Sequence, residues 1–321
     1  MIKIVTIKDL SSPIRLDQYL HQTFPEYSRN YFVILIKDKR VALNGKDAKP
    51  STLLKENDTL SIDFAERIIE DHLEPFDYPL DILFENDEVI VVNKPAGMSV
   101  HPAPGTGSET LVNALLAHHP NINQAVLEKD NLLSAMRPGL VHRLDKDTTG
   151  VMIIAKTSRA LHSLSLQIQH RDVKKIYLAI CYGWPKKESG NLLNYLGRHP
   201  KDRKKYTEVG ESDGRVAISD YKVISYMTDK FENKVSLVEF SIKTGRTHQI
   251  RVQSKLAGFP VLGDEKYFSR DSSKASRQNM ILRQMLHAHS LTITLPGDKK
   301  KATFVAPLPF DFNHTLEQFH T

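Results

Sequence analysis

The segment VHRLDKDTTG (141–150) sets one carboxylate, Asp145, between Arg143 and Lys146, with His142 and Asp147 close by. The apolar run VMIIA follows at once. A carboxylate shielded from water can attack an electrophilic carbon or remove a proton, provided that it stays ionised. Burial alone favours the neutral acid, so such a site needs a cation held against it. The plain alternative is a turn carboxylate answering the cations beside it. Asp147 suits that alternative better, because it precedes Thr148 and Thr149 and can pin the turn by local hydrogen bonds. His142 reads as structural.

A second cluster lies in KTGRTHQIRVQ (243–253), where Gly245 breaks a strand-like run and Arg246, His248 and Arg251 follow. As a strand, this segment puts Arg246 and His248 on one face and Arg251 on the other. One arginine then turns into a cleft and the other grips structure or RNA. The alternative is an exposed cationic strand end.

Other chemistries fit less well. NKPA (93–96) stands in a chain with no G-x-x-x-x-G-K-[ST], and there is no G-x-S-x-G. His118-His119 and His287-x-His289 lack a matching Cys, His or carboxylate cluster, so they read as surface and packing histidines, and no metal is expected. One cysteine, Cys181, rules out an intramolecular disulfide and suits a reducing compartment. MIKIVTIKDL lacks the apolar core of a signal peptide, and no apolar run approaches the ~20 residues of a membrane span. The expectation is a cytoplasmic protein without a membrane partner.

The elements that must position these residues follow from periodicity. IRLDQYLHQTF (14–24) and RNYFVILIKDKR (29–40) have helical spacing, with Ser28 as an N-cap for the second. VALNGKDA carries the hairpin signal Asn44-Gly45, and TLSID (59–63) closes the unit as a strand. Residues 65–81, with two prolines, read as a linker. Beyond it, ILFENDEVIVVNK (82–94) is a hairpin turning at Asn86-Asp87, and ETLVNALLAHH is a short helix. PGLVHRL and GVMIIAK read as two strands flanking the polar turn. SRALHSLSLQIQHR (158–171) is a helix capped by Thr157. KKIYLAICYGW, AISDYKVISY, KVSLVEFSIK and HSLTITLP alternate like strands. The fold class is α+β with a mixed, largely antiparallel sheet.

Charge is uneven over the 321 residues, whose formal net charge is +6. Residues 1–75 hold 11 Lys/Arg and 12 Asp/Glu, whereas Arg171–Lys205 holds ten cations against three acids. Such a run is either a solvated loop or a phosphate-facing surface.

The two signatures, in this order, resemble those of the RluA-type family of RNA pseudouridine synthases. VHRLDKDTTG covers nearly all of that family's catalytic signature, and KTGRTHQIR its later one. ILFENDEVIVVNKPAGMSVHP is similar to the family's opening hairpin and NKP segment. RLDQYL with SRNYFVILIKDKRVALNGK resembles the alpha-L RNA-binding module that many members carry. PGLVHRLDKDTTG and KDKRVALNGK are most similar to the RluD kind, which acts on large-subunit ribosomal RNA. The resemblance runs from about residue 13 to VAPLP near 309. It departs at Gln253, where a His usually follows the RV pair, and matches only loosely over 268–284.

The resemblance implies an alpha-L RNA-binding domain over 13–72 and a pseudouridine synthase domain over 82–316. It implies isomerisation of uridine in RNA without cofactor or metal. Asp145 becomes the catalytic aspartate, as nucleophile at C1′ or as base at C2′. Arg246 becomes its bidentate partner, and Tyr177 stacks on the uracil and serves in proton transfer at C5. Arg143 fills the stack that a flipped uridine leaves. Arg29, Lys37, Lys39, Arg40 and Arg251 are the further expected RNA contacts. Large-subunit rRNA or a pre-ribosomal particle is the expected partner, and a monomer the default. A tRNA target and a vestigial RNA-binding assembly factor are the alternatives; the joint presence of Asp145, Tyr177 and Arg246 weighs against the second.

Overall fold

The computed structural model describes the chain except residues 1, 9, 11, 26, 28, 65–72, 103–106, 126–136 and 321. It divides into two compact units, Met1–Glu74 with Val126–Pro138, and Pro75–Ala125 with Gly139–Thr321. The expected N-cap Ser28 and the 65–72 part of the expected linker lie outside the described residues.

In the first unit the elements are β1 (Ile2–Thr6), α1 (Leu16–Thr23), α2 (Arg29–Lys37), β2 (Val41–Leu43), β3 (Lys46–Asp47) and β4 (Thr59–Asp63). The strands form an antiparallel sheet in the order β1-β4-β2-β3. Leu16, Leu20, Phe32, Leu35 and Ile36 bury against Val41, Leu60 and Ile62, the spacing that a helix and a strand each require of an apolar face. Asn44 and Gly45, with φ of 51° and 74°, turn the β2–β3 hairpin as the Asn-Gly pair predicts. Asp17 is a buried carboxylate within α1, held by Arg29 at 2.8 Å and Arg15 at 3.0 Å. The strand β1 was not anticipated, since its alternating isoleucines face outward at the edge of the sheet.

The second unit contains β5 (Ile82–Glu85), β6 (Val89–Lys94), α3 (Leu111–His118), β7 (Thr149–Ala155), α4 (Ser158–His170) and β8 (Lys174–Tyr182). There follow β9 (Ser189–Arg198), β10 (Tyr206–Glu208), β11 (Arg215–Asp229), β12 (Lys234–Ile242), α5 (Gln249–Leu256) and α6 (Arg270–Gln278). The last elements are β13 (Leu286–Thr294), β14 (Lys301–Val305), α7 (Phe310–Glu317) and β15 (Phe319–His320). Among the described residues the strands join one sheet in the order β10-β9-β11-β12-β8-β13-β7-β6-β5, with β14 on β13 and β15 on β11. Every pairing is antiparallel except that of β13 with β7. The sheet is thus mixed and largely antiparallel, as expected.

Local signals place several elements. Asn86 accepts from the Glu88 and Val89 N–H groups at 2.9 Å and closes the β5–β6 turn. Thr157 caps α4 by accepting from Ala160 N. PGLVHRL, expected as a strand, is not one. An isolated bridge, Leu140 to Ile154, is its one strand pairing with β7 among the described residues, and residues 141–148 form an irregular segment, turning at 146–147, that leads into that strand.

Candidate active site

The segment bearing Asp145 is held through its main chain, not by the Asp147 side chain as the sequence suggested. Thr148 N–H donates to the Asp145 carbonyl at 3.1 Å. Lys94, at the end of β6, is fully buried, and its Nζ donates to the carbonyls of Pro95, Met98 and Lys146 at 2.6, 2.9 and 2.9 Å. Arg283 donates to the Asp147 carbonyl at 3.1 Å while its fork grips Asp311. Lys94 and Arg283 thus lock the backbone just after Asp145, at Lys146 and Asp147, and leave its carboxylate free for other partners. Burial draws Lys94 down to about 7, against the opposing charges of Asp147 and Asp145.

The partner of Asp145 is Arg251, not Arg246. Arg251 Nη1 donates to Asp145 Oδ2 at 2.8 Å. Its Nε and Nη2 hold both oxygens of Asp264, at 2.7 and 2.9 Å. The expected role of Arg251 as an RNA contact is therefore overturned: its side chain is 5% exposed and fully committed to two carboxylates. The reason lies in secondary structure. Residues 249–256 are helical, so the strand alternation that paired Arg246 with His248 does not apply. Arg246 lies in the turn before α5, where its Nε donates to the Val216 carbonyl at 3.0 Å. Burial lowers the pKa of Arg246 from the usual arginine value, and the Arg215 and Arg171 charges add to that. For Arg251 burial is outweighed by Asp264 and Asp145, which keep its guanidinium charged. Burial likewise opposes ionisation of Asp264, but Arg251 and the Lys266 and Tyr267 N–H groups hold its carboxyl below the usual carboxylate range.

These groups open onto one cavity. Asp145, Arg143, Tyr177, Arg246 and His248 line it with Arg251, and Leu144, Ile242, Ile250 and Leu286 supply apolar wall. Tyr177, on β8, is buried; burial and the neighbouring Asp145 charge push its phenol well above the usual value. Arg143 is exposed. The cavity therefore offers a carboxylate with one oxygen open, an aromatic ring and cations at the edge. His142 is structural, as expected: its Nε2 accepts from Ile153 N–H at 3.1 Å, and burial and Lys175 push it down to about 3.

Asp264, Arg283 and Tyr267 are the contributors that the sequence did not disclose. Asp264 has no charge pattern around it that marks it, and its role depends on α5 turning Arg251 inward. Gln253, the departure from the family pattern, is buried; it accepts from Ser219 and donates to Leu192 O, Asn194 Oδ1 and Ala217 O. It thereby ties α5 to β9 and β11. His287 is likewise internal, bonded to Thr149 Oγ1 and the Ala306 carbonyl. Of the N-terminal cations, Arg29 is engaged by Asp17, Lys39 by Asp47 and Arg40 by Asp63, all on an exposed or half-exposed surface, and Lys37 is exposed at the end of α2.

The model of the RNA pseudouridylate synthase family matches residues 88–256, which include Asp145, Tyr177 and Arg251. The chain belongs to the RNA pseudouridylate synthase family. It is accordingly an isomerase, and it carries a second match, to the S4 domain, over residues 14–60. An RNA pseudouridine synthase of Synechocystis is 40% identical over 94% of this chain and 88% of its own. The ribosomal large subunit pseudouridine synthase D of Neisseria meningitidis serogroup A is 38% identical over 94% of this chain and 78% of its own. Among solved structures, human RNA pseudouridylate synthase domain containing 1 aligns with a TM-score of 0.57 at 25% identity, covering 72% of this chain and 84% of that one.

Proposed function

We propose that this synthase converts uridine to pseudouridine in large-subunit ribosomal RNA and that Asp145 is its catalytic carboxylate. The observation that carries the assignment is the asymmetry of that carboxylate. Oδ2 is fixed by Arg251, and the side chain lines the cavity beside Tyr177. The reaction breaks the bond from ribose C1′ to uracil N1, turns the base and rejoins it through C5; the C5 proton leaves and N1 gains one. Asp145 serves either by attack of Oδ1 on C1′ or by removal of the C2′ proton.

The other residues divide the work. Arg251 orients the carboxylate through a guanidinium that cannot lose its proton at working pH. Tyr177 stays a neutral phenol, which suits its ring to packing against the uracil face. Arg143 fills the gap left by the flipped nucleotide, at a cost of extrusion of a few kcal/mol. Arg246 supplies positive charge to the same cavity. The ribosomal target is supported by relatives named for the large subunit and by the S4 match.

Pseudouridine mapping of rRNA and tRNA from cells lacking the protein tests the target. The expected result is loss of the mark at specific large-subunit rRNA uridines, with tRNA unchanged. Unaltered large-subunit rRNA would overturn the ribosomal assignment.

A further inference from the structure

The Asp145 oxygens have unequal neighbours. Oδ2 takes Arg251 Nη1 at 2.8 Å, whereas Oδ1 faces His248 Nε2 across 3.9 Å. His248 adopts the left-handed conformation, with φ of 57°, immediately before α5. A non-glycine residue rarely takes that conformation without a reason in its surroundings. Here it lodges the ring between Asp145 and Tyr267, with the side chain 10% exposed.

Which ring nitrogen carries the proton is decided by Tyr267. The backbone N–H of Tyr206 donates to Tyr267 Oη at 2.7 Å, and His248 Nδ1 lies 2.7 Å from the same oxygen. A proton on Nδ1 would give that oxygen two donors and leave the phenol proton without the ring as acceptor. With Nδ1 bare, each proton is used: Tyr206 N–H to Oη, and O–H to Nδ1. The remaining ring proton then sits on Nε2, toward Asp145. Burial pushes Tyr267 up to about 12 and draws His248 down to about 4, so the phenol keeps its proton and the imidazole is neutral at pH 7.

We propose that His248 is a positioning residue, held by Tyr267 as the Nε2–H tautomer so that this N–H orients the Asp145 oxygen that Arg251 leaves free. The proposal rests on Asp145 being the catalytic carboxylate. A neutral donor suits the task. A second cation on Oδ1 would blunt the carboxylate as nucleophile or base, while an N–H dipole orients it and leaves it reactive. The chain of contacts also couples the site to the start of β10 through Tyr206, whose ring meets His248 edge to face at 5.9 Å.

The test uses the full chain labelled with 15N-histidine, with the His248 resonances assigned by their loss in His248→Gln. The expected spectrum at pH 7 shows a protonated Nε2 and a bare Nδ1, and Tyr267→Phe should abolish the fixed tautomer. Single-turnover rates are read in parallel on total RNA from cells lacking the protein, at the uridines that wild type restores. His248→Met and Tyr267→Phe should slow the reaction about tenfold, less than removal of a donor that touches a developing charge directly. RNA affinity should not change, and His248→Gln, which keeps an N–H near the Nε2 position, should recover most of the rate. A protonated Nδ1 or an averaged tautomer in wild type would overturn the proposal, as would wild-type turnover by His248→Met. Asp145→Asn separates the two failures: if it is inactive while His248→Met is normal, only the positioning role falls. If Asp145→Asn is active, the catalytic assignment falls with it.

Discussion

At the scale of single residues, Arg251 is the pivot, because one guanidinium serves two carboxylates. Arg251→Lys keeps the charge but cannot span Asp145 and Asp264 with a planar fork, so the single-turnover rate should fall about 100-fold, as for a misplaced reacting group. Arg246→Lys should cost much less, since among the described residues only one of its guanidinium nitrogens is engaged, on a backbone carbonyl. Equal losses for the two would contradict the geometry. Asp264 gives a pH prediction. Its folded pKa is depressed, so its stabilising effect is complete above about pH 4, near the unfolded value. That stabilisation is lost as the pH falls through the folded value. Asp264→Asn should cost about 3 kcal/mol at pH 7 by chemical denaturation, and the gap from wild type should narrow below about pH 4. A gap that is constant with pH would exclude that ionisation as its source. Asp145 was legible because five ionisable groups crowd an apolar run. Its partner was not, because a partner 106 residues away is chosen by the conformation of the chain around it.

At the scale of elements, α5 hides its helical character for a plain physical reason. In QIRVQS, Ile250 and Val252 alternate with polar residues, the pattern of a half-buried strand, yet the segment is a helix buried at every position from Gln249 to Ser254. Burial on all sides removes the amphipathic signal. The polar residues are accommodated by internal partners: Gln249 on Thr244, Ile218 and Ser219, Gln253 on Ser219, Leu192, Asn194 and Ala217, and Arg251 on its two carboxylates. Elements with one wet face or a local cap, such as the Thr157-capped α4 and the β5–β6 hairpin, were legible. The ladder between β7 and β13 offers a test. Gly150, with φ of 116°, leaves no room for a Cβ against the Ala288 backbone. Gly150→Ala should therefore destabilise the fold by about 3 kcal/mol, beyond the usual cost of a strained φ alone. Thermal unfolding with no shift in midpoint would show that the two strands can separate there freely.

At the scale of the molecule, the chain falls into two units, the first carrying the S4 match and the second the cavity. The N-terminal unit is not basic overall, so on the proposed reading any RNA contact it makes falls to the local cations at the end of α2 and just after it. Lys39 and Arg40 face exposed carboxylates, contacts that add little to stability and can be exchanged for phosphate. Replacing Lys37, Lys39 and Arg40 together by Gln should leave the melting temperature almost unchanged while lowering the slope of log affinity for rRNA against log salt. An unchanged slope would remove this patch from the interface. The cationic run from Arg171 to Lys205, by contrast, sits in the unit that holds the cavity, and part of it leads directly into Tyr206 beside His248.

The carboxylate that Arg251 holds is the group proposed to perform the isomerisation. Asp145→Asn preserves the shape of the side chain and removes its charge. Pseudouridine formation should be abolished, while RNA affinity measured by filter binding should stay within a few-fold of wild type. Turnover near the wild-type rate by the Asn variant would contradict that role.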